Sequence, residues 1–249
     1  MELEILRNIQ SIANPFLDIL FQLITICGEQ MVLVLIISII YWVKDKKFGE
    51  YIAYAVLTSV LVNCVVKDIF KFKRPIGEEG IRTLREKTAT GYSFPSGHTQ
   101  GAGSFYGAMA IYIKKKVMYI IAIIMIILIG FSRLYLGVHY PKDVIVGGIL
   151  GVLISYICYN IYNKYENKIM VYTITFIIFL PALTFAHSED FIKGLGAYFG
   201  FLIGMFIEKR YVNFSVEGKG INKVIRVVIG VLILLCLQKG LKIVLPSED

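Results

Sequence analysis

The stretch KKKVMYIIAIIMIILIGFSR at residues 114–133 decides the fold class. Residues 117–132 contain no Asp, Glu, Lys or Arg, and the same is true of residues 51–66, 144–163 and 169–188. In lipid, backbone N–H and C=O groups must be paired within their own segment, and an α-helix does this. These apolar runs therefore predict helices that cross a membrane.

The composition of the whole chain agrees with this prediction. Its 249 residues are 57% hydrophobic, and the mean hydropathy is +0.69, so the chain carries more apolar surface than a soluble domain of this length buries. We therefore expect an all-α fold, a polytopic transmembrane helical bundle with about eight or nine membrane segments. We expect a single integral-membrane domain over residues 1–249, with a motif-bearing core at 50–163.

The expected helix bounds follow the apolar runs. Beyond residue 43 the predicted segments are 50–69, 98–113, 117–132, 143–162, 169–186, 191–207 and 224–245. Residues 12–43 are apolar apart from Asp18 and Glu29, with a break at Gly28-Glu29-Gln30. They form either two short spans or a re-entrant piece followed by one span, and the sequence leaves both interpretations open.

The net charge of +8 lies largely in short loops between apolar runs. Threading the segments through a membrane groups the loops 44–50, 114–116, 163–168 and 208–223 on one side, and 69–97, 133–142 and 187–190 on the other. Loops rich in Lys and Arg mark the cytoplasmic side. The pattern thus predicts a plasma-membrane protein, expected to be bacterial, and no nucleic-acid partner, because topology explains the charge, including that of residues 208–226.

Glycines recur at four-residue spacing, which lets membrane helices approach closely. They are Gly97, Gly101, Gly103, Gly107, Gly147, Gly151, Gly196, Gly200 and Gly204. We favour packing within one chain over oligomerisation, and the oligomeric state stays open.

The first cluster of chemical interest closes a predicted helix with the sequence KDIFKFKRP at residues 67–75. Lys67 and Arg74 are seven residues apart, so a continuing helix would place them on one side. Arg74 precedes Pro75, however, and a residue before proline disfavours the helical conformation. We expect Arg74 to lie in the following loop. Basic residues that flank a span are also common anchors.

The second cluster is Pro95-Ser96-Gly97-His98, which opens directly onto a helix rich in small residues. Free backbone amides at a helix start, together with the positive end of the helix dipole, favour an anion. His98 would stand beside that anion. The alternative is a histidine with a structural role at the start of a helix.

The third cluster is SRLYLGVHYPKD at residues 132–143. His139 and Asp143 are four residues apart, a separation at which the carboxylate can accept the imidazole N–H and fix its tautomer. The other ring nitrogen is then free to attack or to accept a proton. Pro141 between them is compatible with the first turn of a helix.

Together the three clusters suit a phosphoryl group. Arginine forks hold phosphate oxygens, cations offset charge in the transition state, and two histidines can serve as nucleophile and proton donor. The residues alone leave open which histidine attacks. We expect no metal and no cofactor, because the carboxylate cluster of a two-metal site is not seen in the sequence.

The order Lys-x6-Arg-Pro, Pro-Ser-Gly-His and Ser-Arg-x5-His-x3-Asp resembles the three-part signature of the phosphatidic acid phosphatase type 2 superfamily, over residues 67–143. The resemblance implies that His139 is the nucleophile, forming a phosphohistidine, and that Asp143 orients it. It also implies that His98 is the general acid. The phosphate-binding residues implied by it are Lys67, Arg74, Ser96, Gly97 and Arg133.

The function we expect is hydrolysis of a lipid phosphomonoester or pyrophosphate at the extracytoplasmic face. Candidate substrates are phosphatidic acid, a sphingoid-base phosphate, phosphatidylglycerophosphate and undecaprenyl pyrophosphate. Transfer of the phosphate to an acceptor, a sugar-phosphate substrate, and a transporter or scaffold that only binds an anion are the alternatives. Glu29 and His187 are interpreted as loop residues outside the site; for Glu29, which lies on the predicted active face, contact with a headgroup is the alternative.

Overall fold

The computed structural model of the chain describes residues 1–218 and 220–244, and its regular structure there is helical. The helices are α1 (Glu2–Gln10), α2 (Pro15–Ile26), α3 (Gln30–Ile39), α4 (Lys46–Phe70), α5 (Gly97–Ile113), α6 (Lys116–Tyr135), α7 (Pro141–Lys164), α8 (Lys168–Phe179), α9 (Glu189–Ile207) and α10 (Gly220–Val244). A π-helical turn extends α3 over Ile40–Lys44 and α9 over Glu208–Val212. Short 3-10 turns lie at Glu86–Thr88 and Leu180–Thr184.

The predicted all-α fold is confirmed, but the predicted number of membrane segments is wrong. Within the described part of the chain, four helices, α4, α6, α7 and the extended α9, are long and apolar enough to cross a membrane, or five spans if the bent pair α1 and α2 counts as one. The expectation of eight or nine counted each apolar run as a span. The predicted segment 224–245 lies within α10, which begins earlier, at Gly220, except for residue 245, which lies outside the described residues.

The difference arises from helix length. Helices α2 and α8 have 12 residues each, which at 1.5 Å per residue gives about 18 Å, against a hydrocarbon core of about 30 Å. Helix α5 has 17 residues and lies among other helices. Hydropathy alone does not separate such short or enclosed helices from spans, because all of them are apolar.

Residues 12–43 contain two short apolar helices, α2 and α3. The axes of α1 and α2 make an angle of 119°. Contacts from α2 to α6 run from Phe21 to Phe131 and from Thr25 to Arg133, near the C-terminal end of α6. Helix α2 therefore lies at one end of the bundle, which agrees with the re-entrant interpretation.

The core of the bundle is the packing of α5 against α4, α6 and α7. At Gly151 on α7 an added Cβ would lie 2.3 Å from the backbone oxygen of Gln100 on α5, and at Gly147 it would lie 2.7 Å from that of Ser96. These glycines therefore serve packing within the chain, as favoured from the sequence. Around Gly200 on α9, in contrast, nothing lies within 4 Å of an added Cβ.

The loops group at the two ends of the bundle as the threading predicted. At one end Lys46 pairs with Glu208 and Lys209 pairs with Glu50. At the other end Arg74 contacts His139, and the three sequence clusters meet there. Which end faces the cytoplasm, and whether residues 1–249 form a single domain, stay predictions.

Candidate active site

The first cluster lies where α4 ends. Lys67 is buried in the last turn, and Lys71 closes the helix in the left-handed region with φ 51°. Arg74 therefore lies in the loop, as expected from Pro75. Its guanidinium donates to backbone carbonyls, namely those of Thr90, Gly91, Tyr92 and Val138 at 2.6–3.2 Å.

The second cluster begins α5. Ser96 is fully buried, and its hydroxyl oxygen accepts hydrogen bonds from the amide of Thr99 at 3.5 Å and from the Thr99 hydroxyl at 3.0 Å. Its own amide donates to the backbone oxygen of Asp143 at 2.9 Å. Gly97 and His98 open the helix, so the helix start is fixed directly to the start of α7.

The third cluster places His139 just before α7 and Asp143 in its first turn. Nδ1 of His139 lies 3.3 Å from Oδ2 of Asp143. That oxygen also accepts the amide of Tyr140 at 2.9 Å and the hydroxyl of Ser93 at 2.5 Å. Because the carboxylate accepts the Nδ1 proton, the lone pair of the ring lies on Nε2, which faces Nη1 of Arg74 at 2.9 Å.

His139 is 1% exposed. Burial, followed by the nearby charges of Arg74, Arg133 and Lys67, holds its pKa well below 6.5. Burial also lowers the pKa of Arg74, to about 10. His139 is therefore neutral near pH 7 while Arg74 stays charged, which is the state in which the ring nitrogen can attack.

Arg133, from the last turn of α6, is fully buried. Its Nη1 donates to the hydroxyl of Thr25 at 2.9 Å, while its Nε and Nη2 have no protein partner. Nε2 of His98 is also buried without a protein partner. Buried polar groups are normally hydrogen-bonded, so these groups call for a polar ligand such as a phosphate.

A cavity of about 770 Å³ brings the clusters together. Six of the eight predicted site residues line it, namely Lys67, Arg74, Gly97, His98, Arg133 and His139. The other two, Ser96 and Asp143, lie in the supporting layer, where they hold the start of α5 and the ring of His139. The structure thus gathers both histidines and three cations around one space.

The sequence did not identify several residues of this site. Ser93 bonds Asp143, and Asn63 donates to the backbone oxygen of Pro95 at 3.2 Å, before the helix start. Asp190 and Glu29, interpreted as loop residues, line the cavity. No spacing pattern marks these positions, because they come from separate elements that only the fold brings together.

A larger groove of about 1120 Å³ lies apart from this chemistry, on the outer surface of α6 and α7. Isoleucines such as Ile123, Ile127 and Ile149 form its wall. In a bilayer such a surface meets lipid chains. The candidate site is therefore the smaller cavity, where the charges are.

Over residues 1–218 and 220–244, no group of three or more His, Cys, Asp and Glu side chains is placed to hold a metal ion. Whether catalysis is independent of metal stays a prediction.

Two family models match the chain. Residues 49–167 match the PAP2 superfamily, and residues 192–249 match a model described as PAP2 superfamily phosphatase, transmembrane extension. The first match contains the three sequence clusters, and the second contains most of α9 and all of α10.

Curated relatives and solved structures agree with these matches. The undecaprenyl-diphosphatase of Sulfolobus acidocaldarius is 33% identical over 119 residues, which are 47% of this chain and 57% of that protein. Phosphatidylglycerophosphatase B of Bacillus subtilis is 31% identical over 159 residues, 59% of this chain and 75% of that protein. The crystal structure of a transmembrane PAP2 type phosphatidylglycerolphosphate phosphatase from Bacillus subtilis superposes with a TM-score of 0.57 at 28% identity, covering 66% of this chain and 85% of that one.

Proposed function

This chain belongs to the PAP2 superfamily, and we propose that it hydrolyses a phosphomonoester or diphosphate of a lipid through a phosphohistidine. It is an integral membrane protein. The observation that carries the proposal is the cavity in which Nε2 of His139, His98 and the cations Lys67, Arg74 and Arg133 meet. The proposal includes an extracytoplasmic site, supported by the placement of Lys and Arg in the loops at the opposite end, and a bacterial membrane, as for the relative from Bacillus subtilis.

Phosphate binding comes first. Nε and Nη2 of Arg133, which have no protein partner, supply donors for the phosphate oxygens, and Nη1 of Arg74 supplies a further donor when it leaves Nε2 of His139. Lys67 adds a buried positive charge. The Gly97 amide lies at the positive start of α5, and Ser96, behind the cavity wall, holds this turn in place.

The chemical step uses the two histidines in different roles. Nε2 of His139 forms a bond to phosphorus while the bond from phosphorus to the leaving oxygen breaks. His98, which takes up its proton when the anionic phosphate offsets the nearby cations, donates that proton to the leaving oxygen. The positive charge that develops on the ring of His139 is stabilised by Asp143, which accepts the Nδ1 proton. Water then attacks the phosphohistidine, His98 takes the proton from that water, and phosphate leaves.

A lipid fits the surroundings of the cavity. Its wall includes apolar side chains from α3 and α4, among them Met31, Val34 and Val60. A headgroup can therefore reach the charges while its chains stay among apolar residues. Polar and apolar side chains both line the cavity, as is usual for ligand-binding sites.

The test is a phosphate-release panel with the purified full chain in detergent. The panel contains phosphatidic acid, a sphingoid-base phosphate, phosphatidylglycerophosphate, undecaprenyl diphosphate and glucose 6-phosphate. We expect release from at least one lipid, inhibition by vanadate as a phosphate mimic, and no loss of activity with a chelator. Release from none of the lipids would overturn the proposal, and release from glucose 6-phosphate alone would overturn the lipid assignment.

A further inference from the structure

An ion pair between Glu29 and Arg85 lies at the edge of the proposed site. Arg85 Nη2 donates to Oε1 of Glu29, and the two side chains are about a quarter exposed, at 23% and 27%. Glu29 lines the cavity, as does Thr88, whose hydroxyl donates to the backbone oxygen of Arg85 at 2.8 Å. None of the three sequence clusters contains this pair.

Two features of Arg85 indicate more than a surface ion pair. Its Nε is buried and has no protein partner. Its backbone lies in the left-handed region, with φ 57° and ψ 38°, which costs a residue other than glycine about 1 kcal/mol or more. Such strain persists where the surrounding structure fixes it, and here the amide of Leu84 donates to the backbone oxygen of Leu136 at 3.0 Å.

The Glu29–Arg85 pair lies beside the second cluster. Glu29 follows Gly28, where an added Cβ would lie 3.2 Å from the backbone oxygen of His98, and Glu29 and His98 both line the cavity. The pair therefore lies on the side of His98, where the proposed mechanism places the leaving group.

We propose that Arg85 binds the second phosphoryl group of a lipid diphosphate, so that this cavity acts on diphosphates in preference to monophosphates. The inference rests on the proposed function and names its substrate class. His139 attacks the terminal phosphorus, the bond from that phosphorus to the bridging oxygen breaks, and the electron pair stays on the bridging oxygen. The lipid monophosphate that leaves is held as an anion by Arg85 and receives its proton from His98.

Glu29 is the group that a bound phosphate would displace from Arg85. In the structure it occupies one side of the Arg85 fork, and a phosphate with more charge competes for that fork. Glu29 is also the N-cap residue of α3 and makes no capping hydrogen bond with its side chain. When phosphate takes Arg85, the carboxylate can stay at the positive end of α3.

The test compares farnesyl diphosphate with farnesyl monophosphate, which share one lipid tail. For Arg85→Gln we expect kcat/KM to fall about 10-fold or more on the diphosphate and less than about 3-fold on the monophosphate. Arg85→Lys should retain part of the preference. The matched control is Lys87→Gln, which removes a positive charge from an exposed position of the same loop and should leave both substrates unchanged.

Equal losses on both substrates with Arg85→Gln, or no loss on the diphosphate, would overturn the inference. Binding of farnesyl methylenediphosphonate, which cannot be hydrolysed at its bridge, separates it from the proposed function. If this analogue binds at least 10-fold more weakly to Arg85→Gln while the unmodified chain releases no phosphate from any lipid, the proposed function fails and the diphosphate site stands. If it binds both proteins equally, the site is absent.

Discussion

Nη1 of Arg74 lies 2.9 Å from Nε2 of His139. Nδ1 of the same ring faces Asp143 at 3.3 Å, so the guanidinium covers the lone pair that the proposed mechanism uses for attack. Phosphate oxygens are charged acceptors and compete well for an arginine. Substrate binding would therefore draw Arg74 off the ring and release the nucleophile in the same event.

Arg74→Lys should lower kcat/KM about 10- to 100-fold. A lysine keeps the charge, but its single nitrogen cannot replace the three nitrogens that Arg74 directs at the carbonyls of Gly91, Val138 and Thr90. The measurement is phosphate release together with inhibition by vanadate, which should weaken in parallel. Arg82→Lys is the matched control, because Arg82 lies in the same loop and pairs with Asp18. Full activity of Arg74→Lys would contradict the role.

His139→Asn should abolish turnover, since loss of a nucleophile costs several orders of magnitude in rate. The chain contains three histidines, and His187 is exposed, so His187→Asn provides a matched control that should keep full activity. Acid-labile label from a radioactive substrate should appear on the unmodified protein and not on His139→Asn. Detergent gel filtration checks folding, and label that persists in a folded His139→Asn protein would identify another nucleophile.

His98→Asn should affect substrates according to their leaving groups. An alkoxide needs a proton as it leaves, whereas p-nitrophenolate is stable as an anion. We expect a loss of about 100-fold or more in kcat on an alkyl phosphate, and a much smaller loss on p-nitrophenyl phosphate. The comparison is of kcat at saturating substrate. Equal losses on both would show that His98 does not act as the general acid.

The spacing of the site residues predicted most of this geometry because much of it is local. His139 and Asp143 lie four residues apart across the first turn of α7, and Arg74 leaves α4 because a proline follows it. Both relationships follow from backbone rules that need no knowledge of the fold. The pairing of the three clusters in one cavity was a prediction about distant segments, and the structure places them together.

The contacts that the sequence did not reveal connect elements far apart along the chain. Thr25 bonds Arg133, and Asp190 from α9 accepts the hydroxyl of Thr90 at 3.1 Å. No periodicity relates such positions. The predicted number of spans was wrong for a different reason. Hydropathy measures only how apolar a segment is, and a short helix that is buried among other helices, such as α5, is as apolar as a helix that crosses a membrane.

The thermal stability of the chain should fall as the pH drops below 6.5. Burial and nearby cations hold the pKa of His139 in the folded protein well below 6.5, the ordinary value that the unfolded chain regains. Below pH 6.5 the unfolded state binds a proton that the folded state does not, so the stability present above this pH is lost by up to about 1.4 kcal/mol for each pH unit. Melting temperatures in detergent between pH 5 and 8 measure this slope.

His139→Asn should reduce that slope, since it removes one of the two histidines whose pKa burial lowers in the folded state, while His98 keeps its contribution. His187→Asn should leave the slope unchanged, because His187 is exposed. An undiminished slope in His139→Asn would assign the effect to other groups.

Gly151→Ala and Gly200→Ala should have opposite effects on stability. At Gly151 the new Cβ would lie 2.3 Å from the backbone oxygen of Gln100 and 2.7 Å from the amide of Ser104, and backbone atoms cannot move aside as a flexible side chain can. We expect a loss of about 1–3 kcal/mol or more. At Gly200 an added Cβ meets nothing within 4 Å, so better helix propensity should raise stability by up to about 1 kcal/mol.

The same pair of variants also tests how α5 and α7 support the site. Gly151 packs next to Gln100, whose side-chain amide donates to Ser59 and whose side-chain oxygen accepts from Asn63 at 2.8 Å. Asn63 in turn donates to the backbone oxygen of Pro95, at the start of the phosphate-binding turn. Gly151→Ala should therefore lower kcat/KM as well as the melting temperature, whereas Gly200→Ala should leave kcat/KM unchanged. A Gly151→Ala protein with native melting temperature and activity would show that α5 and α7 can separate without disturbing the site.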